Sequence, residues 1–143
     1  MQIQYFSLPM DFRKVINREE HPRVSLQQSV IQHLHLLITT AFGEFPGDEA
    51  FGCGIWDYDF DNITSAHKLK EIIRQSLVKA IQEKEKRLTG VKVDLFIIQE
   101  DVPGSSGAHS IKKKINITVT GTLQLTNEKL YFQDSFYVGP LSY

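Results

Sequence analysis

The chain has 143 residues, the usual size of one domain, and its 41% hydrophobic and 23% charged residues place it among folded globular proteins rather than disordered or fibrous ones. Its 16 Lys and Arg stand against 17 Asp and Glu, a net charge of -1, which excludes a global field drawing it to nucleic acid or an anionic membrane. A lone cysteine, Cys53, excludes an intrachain disulfide framework and a cysteine-rich zinc site, in keeping with a reducing compartment.

Residues Met1 to Asp11 carry Gln2 and Gln4 among apolar neighbours, with neither a basic start nor a long apolar core. No signal peptide is read here, and a cytoplasmic location is expected. Residues 1–21 are expected to form an N-terminal arm, with His21, ahead of Pro22, exposed. Ser25-Leu26-Gln27-Gln28 is a capping-box pattern, in which Ser25 takes the amide of Gln28 and Gln28 reaches back. Leu26, Val30, Leu34, Leu37, Ile38 and Ala41 then recur at helical spacing, predicting a first helix near residues 26 to 42. The apolar segment Leu34 to Phe42 is interrupted by His35, Thr39 and Thr40 and falls far short of the roughly 20 residues of a membrane span. His33 and His35, two apart, point about 200° away from each other on a helix and cannot clamp one metal.

Gly43 to Asp61 combines turn formers with Phe45, Phe51, Ile55, Trp56, Tyr58 and Phe60, which predicts an ordered loop packed on the body or on a partner. Trp56 fits core packing, a carbohydrate platform or a partner hot spot. Leu69, Ile72, Ile73, Leu77, Ala80 and Ile81 form the stripe of a second helix, predicted to end at Thr89-Gly90. From Val91 the period changes to two. Val91, Val93, Leu95 and Ile97 predict a strand, Gln99 to Ser110 a mobile connection, and Ile115, Ile117, Val119, Leu123 and Leu125 the inward residues of a second strand. After a turn at Thr126 to Lys129, Leu130, Phe132, Phe136 and Val138 alternate with Tyr131, Gln133, Ser135 and Tyr137 in a third. The fold class is therefore α+β: two main helices packed on a small antiparallel β-meander, in a single domain over residues 1–143.

Three motifs stand out in order: Gly43-Glu44-Phe45-Pro46-Gly47-Asp48, then Phe51-Gly52-Cys53-Gly54-Ile55, then Glu85-Lys86-Arg87 at the end of the second helix. With the helix before them and the hairpin after, this order resembles the contractile-tail baseplate wedge and sheath-initiator family over residues 22–138. The resemblance implies a structural baseplate subunit that docks on a wedge core bundle and initiates sheath assembly in a contractile injection apparatus, with a type VI secretion system as first assignment. Gly43, Pro46, Gly47, Asp48, Phe51 and Gly52 are then structural turn residues. Family members end the second helix Glu-Pro-Arg; here Lys86 replaces the proline, and the docking charges carry over as Glu85 and Arg87. The strand from Leu130 to Val138 corresponds to the family's edge strand, so that Leu130, Tyr131, Phe132, Gln133, Ser135 and Tyr137 would pair with a sheath strand. The implied partners are wedge and sheath subunits, with no nucleic acid, membrane insertion or small-molecule substrate.

Some family members carry a lysozyme label, so a tail glycosidase is the alternative. That chemistry needs one protonated and one ionised carboxylate facing each other. Glu44 with Asp48, Asp57 or Asp59 are the candidates, on sequence proximity alone. Cys53 with His67 or His109 lacks any thiol-nucleophile signature, and a buried structural cysteine is the reading adopted. No P-loop, dinucleotide fingerprint or zinc spacing is present. No enzyme activity, catalytic residue, metal or cofactor is therefore expected.

Overall fold

In the computed structural model, which describes residues 4–41, 43–57, 66–103 and 109–138, the chain opens with strand β1 (Tyr5–Phe6), helix α1 (Phe12–Ile16) and strand β2 (Arg23–Val24). β1 and β2 pair antiparallel, Tyr5 opposite Val24 and Phe6 opposite Arg23. His21, expected at the surface, is buried instead. Its Nε2 accepts the Asp11 amide at 2.8 Å, its Nδ1–H donates to the Pro22 carbonyl at 2.9 Å, and Phe6 packs edge-on against the ring. The imidazole satisfies main-chain groups at the N-cap of α1 and directly before β2, which is what draws it inward.

Helix α2 (Leu26–Thr39) starts as its sequence dictates: Ser25 Oγ accepts the Gln28 amide and Gln28 Oε1 accepts the Ser25 amide, each at 3.3 Å. It ends three residues before the expected 42. The Thr39 hydroxyl donates to the His35 carbonyl and that of Thr40 to the Leu36 carbonyl, and Thr40 turns extended. These back-bonds compete with the helix's own ladder. A one-turn 3-10 helix (Gly54–Asp57) follows the loop, and then helix α3 (Ala66–Lys84). Among the described residues no helix is long and apolar enough to cross a membrane.

α3 also stops early, at Lys84 rather than Thr89-Gly90, because Glu85 Oε1 accepts the amide of Arg87 at 3.0 Å and closes a local turn. Strand β3 (Leu88–Pro103) begins at once, pairs antiparallel with β4 (His109–Leu123), and β4 pairs antiparallel with β5 (Lys129–Val138), in the order β3-β4-β5. The segment read as a mobile connection is mostly ladder, since the register continues to Pro103 opposite His109. Leu125, expected inward, is exposed; β4 ends at Leu123 and the chain turns there, with the Asn127 amide bonded to the Leu123 carbonyl at 2.8 Å.

One apolar cluster joins Val30, Leu34, Leu37 and Ile38 of α2, Leu69, Ile73, Leu77 and Ile81 of α3, and the inner sheet face of Val93, Leu95, Ile115, Ile117, Val119, Leu123, Leu130 and Phe132. Each such side chain contributes about 1.5–3 kcal/mol on burial, far more than helix propensity does per residue. The outer sheet face leaves Phe96, Ile98, Tyr131 and Tyr137 exposed.

Candidate functional site

The loop between α2 and the 3-10 helix is closed at its neck, where Ala41 and Cys53 form a parallel bridge and the Cys53 amide donates to the Thr40 carbonyl at 3.0 Å. Gly52 sits in that neck at φ +129, where an added Cβ would stand 2.5 Å from the Thr40 carbonyl oxygen. Only glycine fits both the dihedral and the space. Within the loop the Gly43 amide donates to the Glu49 carbonyl at 2.9 Å and the Asp48 amide to the Phe45 carbonyl at 3.3 Å, with Gly47 at φ +94 between them. The structural turn read from Gly43, Pro46, Gly47 and Asp48 is thus an ordered, self-bonded loop. Phe51 is buried, its ring 5.4 Å from that of Phe45 and 5.7 Å from the His33 imidazole.

The third motif region meets the loop. Lys84, the last residue of α3, holds Asp48 at 3.1 Å. Glu85 is 2% exposed, an interior group although it stands in a run of charges. Arg87 grips its carboxylate with both arms of the guanidinium, Nε and one terminal nitrogen at 2.8 Å each, and His33 Nδ1 donates to Glu85 Oε2 at 2.6 Å. The remaining Arg87 nitrogen donates to Ser29 Oγ at 2.9 Å, and the guanidinium lies 5.2 Å from the centroid of the Tyr5 ring. Burial pushes the Glu85 carboxyl up, but the bonds from Arg87 and His33 outweigh it and hold its pKa at about 2, against an ordinary 4.5. The same pairing raises the pKa of Arg87.

The three motifs, spread over 45 residues of sequence, therefore converge. A continuous chain of contacts runs from Asp48 and Phe51 through His33 and Glu85 to Arg87, Ser29 and Tyr5. Glu85 faces inward and positions Arg87; Arg87, 31% exposed, lines a cleft of about 570 Å³ with Tyr5, Leu26, Lys86, Gln124 and Leu125. Sequence reading missed His33, Ser29 and Tyr5, which come from other elements and carry no local signature.

The other candidate set lies on β5, at one edge of the sheet. Leu123 N–H bonds the Glu128 carbonyl at 2.8 Å, and the register pairs Gly121 with Leu130 and Val119 with Phe132. Counting by twos, Leu130, Phe132 and Asp134 aim their main chain at β4, while Tyr131, Gln133 and Ser135 aim theirs away from it. In agreement, the Ser135 amide donates to Asp134 Oδ1 at 2.8 Å rather than to β4. Asp134 Oδ2 in turn accepts from His35 Nδ1. The two histidines of α2 thus serve different elements, His33 the end of α3 and His35 the strand edge.

The catalytic candidates are engaged elsewhere. Glu44 Oε2 accepts the Ala41 amide at 2.8 Å, and Asp48 is held by Lys84. Cys53 is buried, its Sγ donating to the Ile38 carbonyl at 3.1 Å. His67 is exposed on α3, while Asp59 and the side chains of Trp56, Asp57 and His109 lie outside the described residues. Among the described residues no group of three or more His, Cys, Asp or Glu could hold a metal ion.

A family model described as baseplate wedge protein gp25 matches residues 24–128. A solved structure from Geobacter sulfurreducens, provisionally named a tail lysozyme, superposes with a TM-score of 0.59 at 19% identity, covering 83% of this chain and 96% of that one. No curated protein sequence matches.

Proposed function

The chain belongs to the baseplate wedge protein gp25 family, and from that membership we propose that it is a structural subunit of a contractile injection apparatus, which docks on a helical bundle of neighbouring wedge subunits and nucleates the sheath. The single observation that carries this reading is the convergence of the family-like motifs onto one bonded hub, ending in the half-exposed Arg87 guanidinium. Partner contact runs through Arg87, with Lys86 and Leu125 beside it in the cleft; Glu85 acts through Arg87 by fixing its plane. Sheath contact runs along β5, whose outward main-chain groups at Tyr131, Gln133 and Ser135 accept a further strand. A type VI secretion system in the cytoplasm is the setting assigned.

The hydrolase alternative fits these residues poorly. A retaining or inverting glycosidase needs two carboxylates free to meet substrate, at roughly 5 Å or 6.5–9.5 Å. Glu44 is engaged by the Ala41 amide at the loop neck and Asp48 by Lys84 at the end of α3. The deciding experiment is affinity purification of the tagged chain from its native cells under mild conditions, beside a peptidoglycan turnover assay on the purified protein. Recovery of wedge and sheath subunits with no turnover is expected. Turnover that disappears in a folded Glu44→Gln variant would reverse the conclusion.

A further inference from the structure

A groove of about 430 Å³ runs beside β5, walled by Leu8 and Pro9 of the N-terminal arm, Ile31, Gln32, His35 and Leu36 of α2, and Phe132 of β5. Its lining is nearly all carbon, and Leu36 and Leu8 remain 39% and 37% exposed. Its origin is a mismatch of widths: α2 buries Leu34, Leu37 and Ile38 in the core, while Ile31 and Leu36 of the same helix line the groove beside the last strand of a three-stranded sheet. The helix layer has apolar surface for one strand more than the chain supplies.

A strand added to β5 would run about 4.8 Å away, with alternate side chains on the inner face and the one opposite Phe132 about 4.5–5.5 Å from it. We propose that the groove receives a bulky aliphatic or aromatic side chain from such a strand, contributed by another subunit, at the position opposite Phe132. This rests on the strand-addition reading above and supplies its selectivity, since the main-chain groups of Tyr131, Gln133 and Ser135 accept any extended sequence. The edge specifies an extended occupant, and the lining specifies an apolar side chain. Asp134 adds the next position. Its Oδ1 now covers the Ser135 amide, and a carbonyl of the incoming strand that takes this amide releases a partly buried carboxylate oxygen. That oxygen needs a new donor, so the incoming strand carries Lys or Arg opposite Asp134, two residues from its apolar anchor.

The test measures binding of the full chain to purified sheath subunits for Gln133→Pro, Leu36→Lys, Leu8→Lys and Leu36→Met, with thermal unfolding of each. Gln133→Pro removes an outward amide and is expected to abolish binding, Leu36→Lys to weaken it at least about tenfold, and Leu36→Met to leave it within about threefold. Loss with Gln133→Pro but binding within about twofold for both lysine variants overturns the groove and spares strand addition. A folded Gln133→Pro variant that binds normally overturns strand addition and this inference with it. If the chain alone dimerises and Leu36→Lys dissolves the dimer, the occupant is a second copy and the proposal fails. Should Leu36→Lys not fold, Leu8→Lys, on the arm outside α2, carries the test.

Discussion

At the scale of single residues, Glu85 is where a surface-like sequence hides an interior group. Glu-Lys-Glu-Lys-Arg is an unbroken run of charges, yet the third of these residues is enclosed by Arg87 and His33. Holding its carboxyl at about 2 instead of 4.5 is worth about 3 kcal/mol. Because the folded pKa lies below the unfolded one, the unfolded chain binds the extra proton between these values. The contribution is complete above about pH 4.5 and is lost as pH falls through about 2. Glu85→Gln should therefore flatten the acid limb of stability against pH in that window, read by chemical denaturation at several pH values; an unchanged slope would mean that the buried bonding is not formed in solution. Glu85→Ala leaves Arg87 and His33 without their shared acceptor and should cost on the order of 3 kcal/mol even at neutral pH. Gly52 makes a second residue-scale case, since Gly52→Ala places a methyl 2.5 Å from the Thr40 carbonyl at a dihedral of +129°. A loss of ~3 kcal/mol or more is expected, against about 1–2 for Gly47→Ala, whose added methyl meets nothing within 4 Å. Equal costs at the two sites would show that the loop neck relaxes freely.

Elements were legible where their signal is local. Ser25 and Gln28 cap α2 as their spacing says, and the stripe of Leu69, Ile73, Leu77 and Ile81 and the alternation of Ile115, Ile117 and Val119 identify α3 and β4 with their buried faces. Element ends were less legible, because they are decided by side chains competing for main-chain groups: Thr39 and Thr40 stop α2, and Glu85 stops α3. Of the candidate site, the sequence marks Glu85, Arg87 and the loop as separate motifs, but not the inward aim of Glu85, because His33 is 52 residues away. His21 was misread for the same reason, since its ring is fixed by the Asp11 amide. At the edge, Asp134 spends its two oxygens on His35 and on the Ser135 amide, a side chain guarding an open strand. Asp134→Ala should therefore leave the Ser135 amide open and raise concentration-dependent self-association, while lowering stability by only ~0.5–1 kcal/mol for an exposed contact. Light scattering over a dilution series checks this, and a variant that stays monomeric throughout removes the guarding role.

On the scale of the whole molecule, the proposed function gives the chain two places for a partner to attach, and they share no lining residue although α2 and the N-terminal arm contribute to both. The cleft at Arg87 is built from Tyr5 of β1, Leu26 at the start of α2, the residues after α3 and the β4–β5 turn, and the groove at Phe132 from the middle of α2, Leu8 and Pro9 of the arm and the strand edge. A baseplate part that starts a polymer must hold its neighbours and its first polymer subunit at once, so the two surfaces have to be independent in energy although they share one core. Leu125 and Leu36 are suited to test this, since each lines one surface and lies outside the buried cluster. Neither substitution opens a cavity, so effects on folding should stay within about 0.5 kcal/mol. Leu125→Asp should then reduce recovery of wedge subunits while leaving binding to sheath subunits within about twofold, and Leu36→Lys should do the reverse. The double variant should lose both to the extents seen singly, because distant sites without shared partners add. If either single substitution weakens both partners in proportion, with thermal unfolding unchanged, the two surfaces are coupled through the hub, and the separation of docking from nucleation has to be given up.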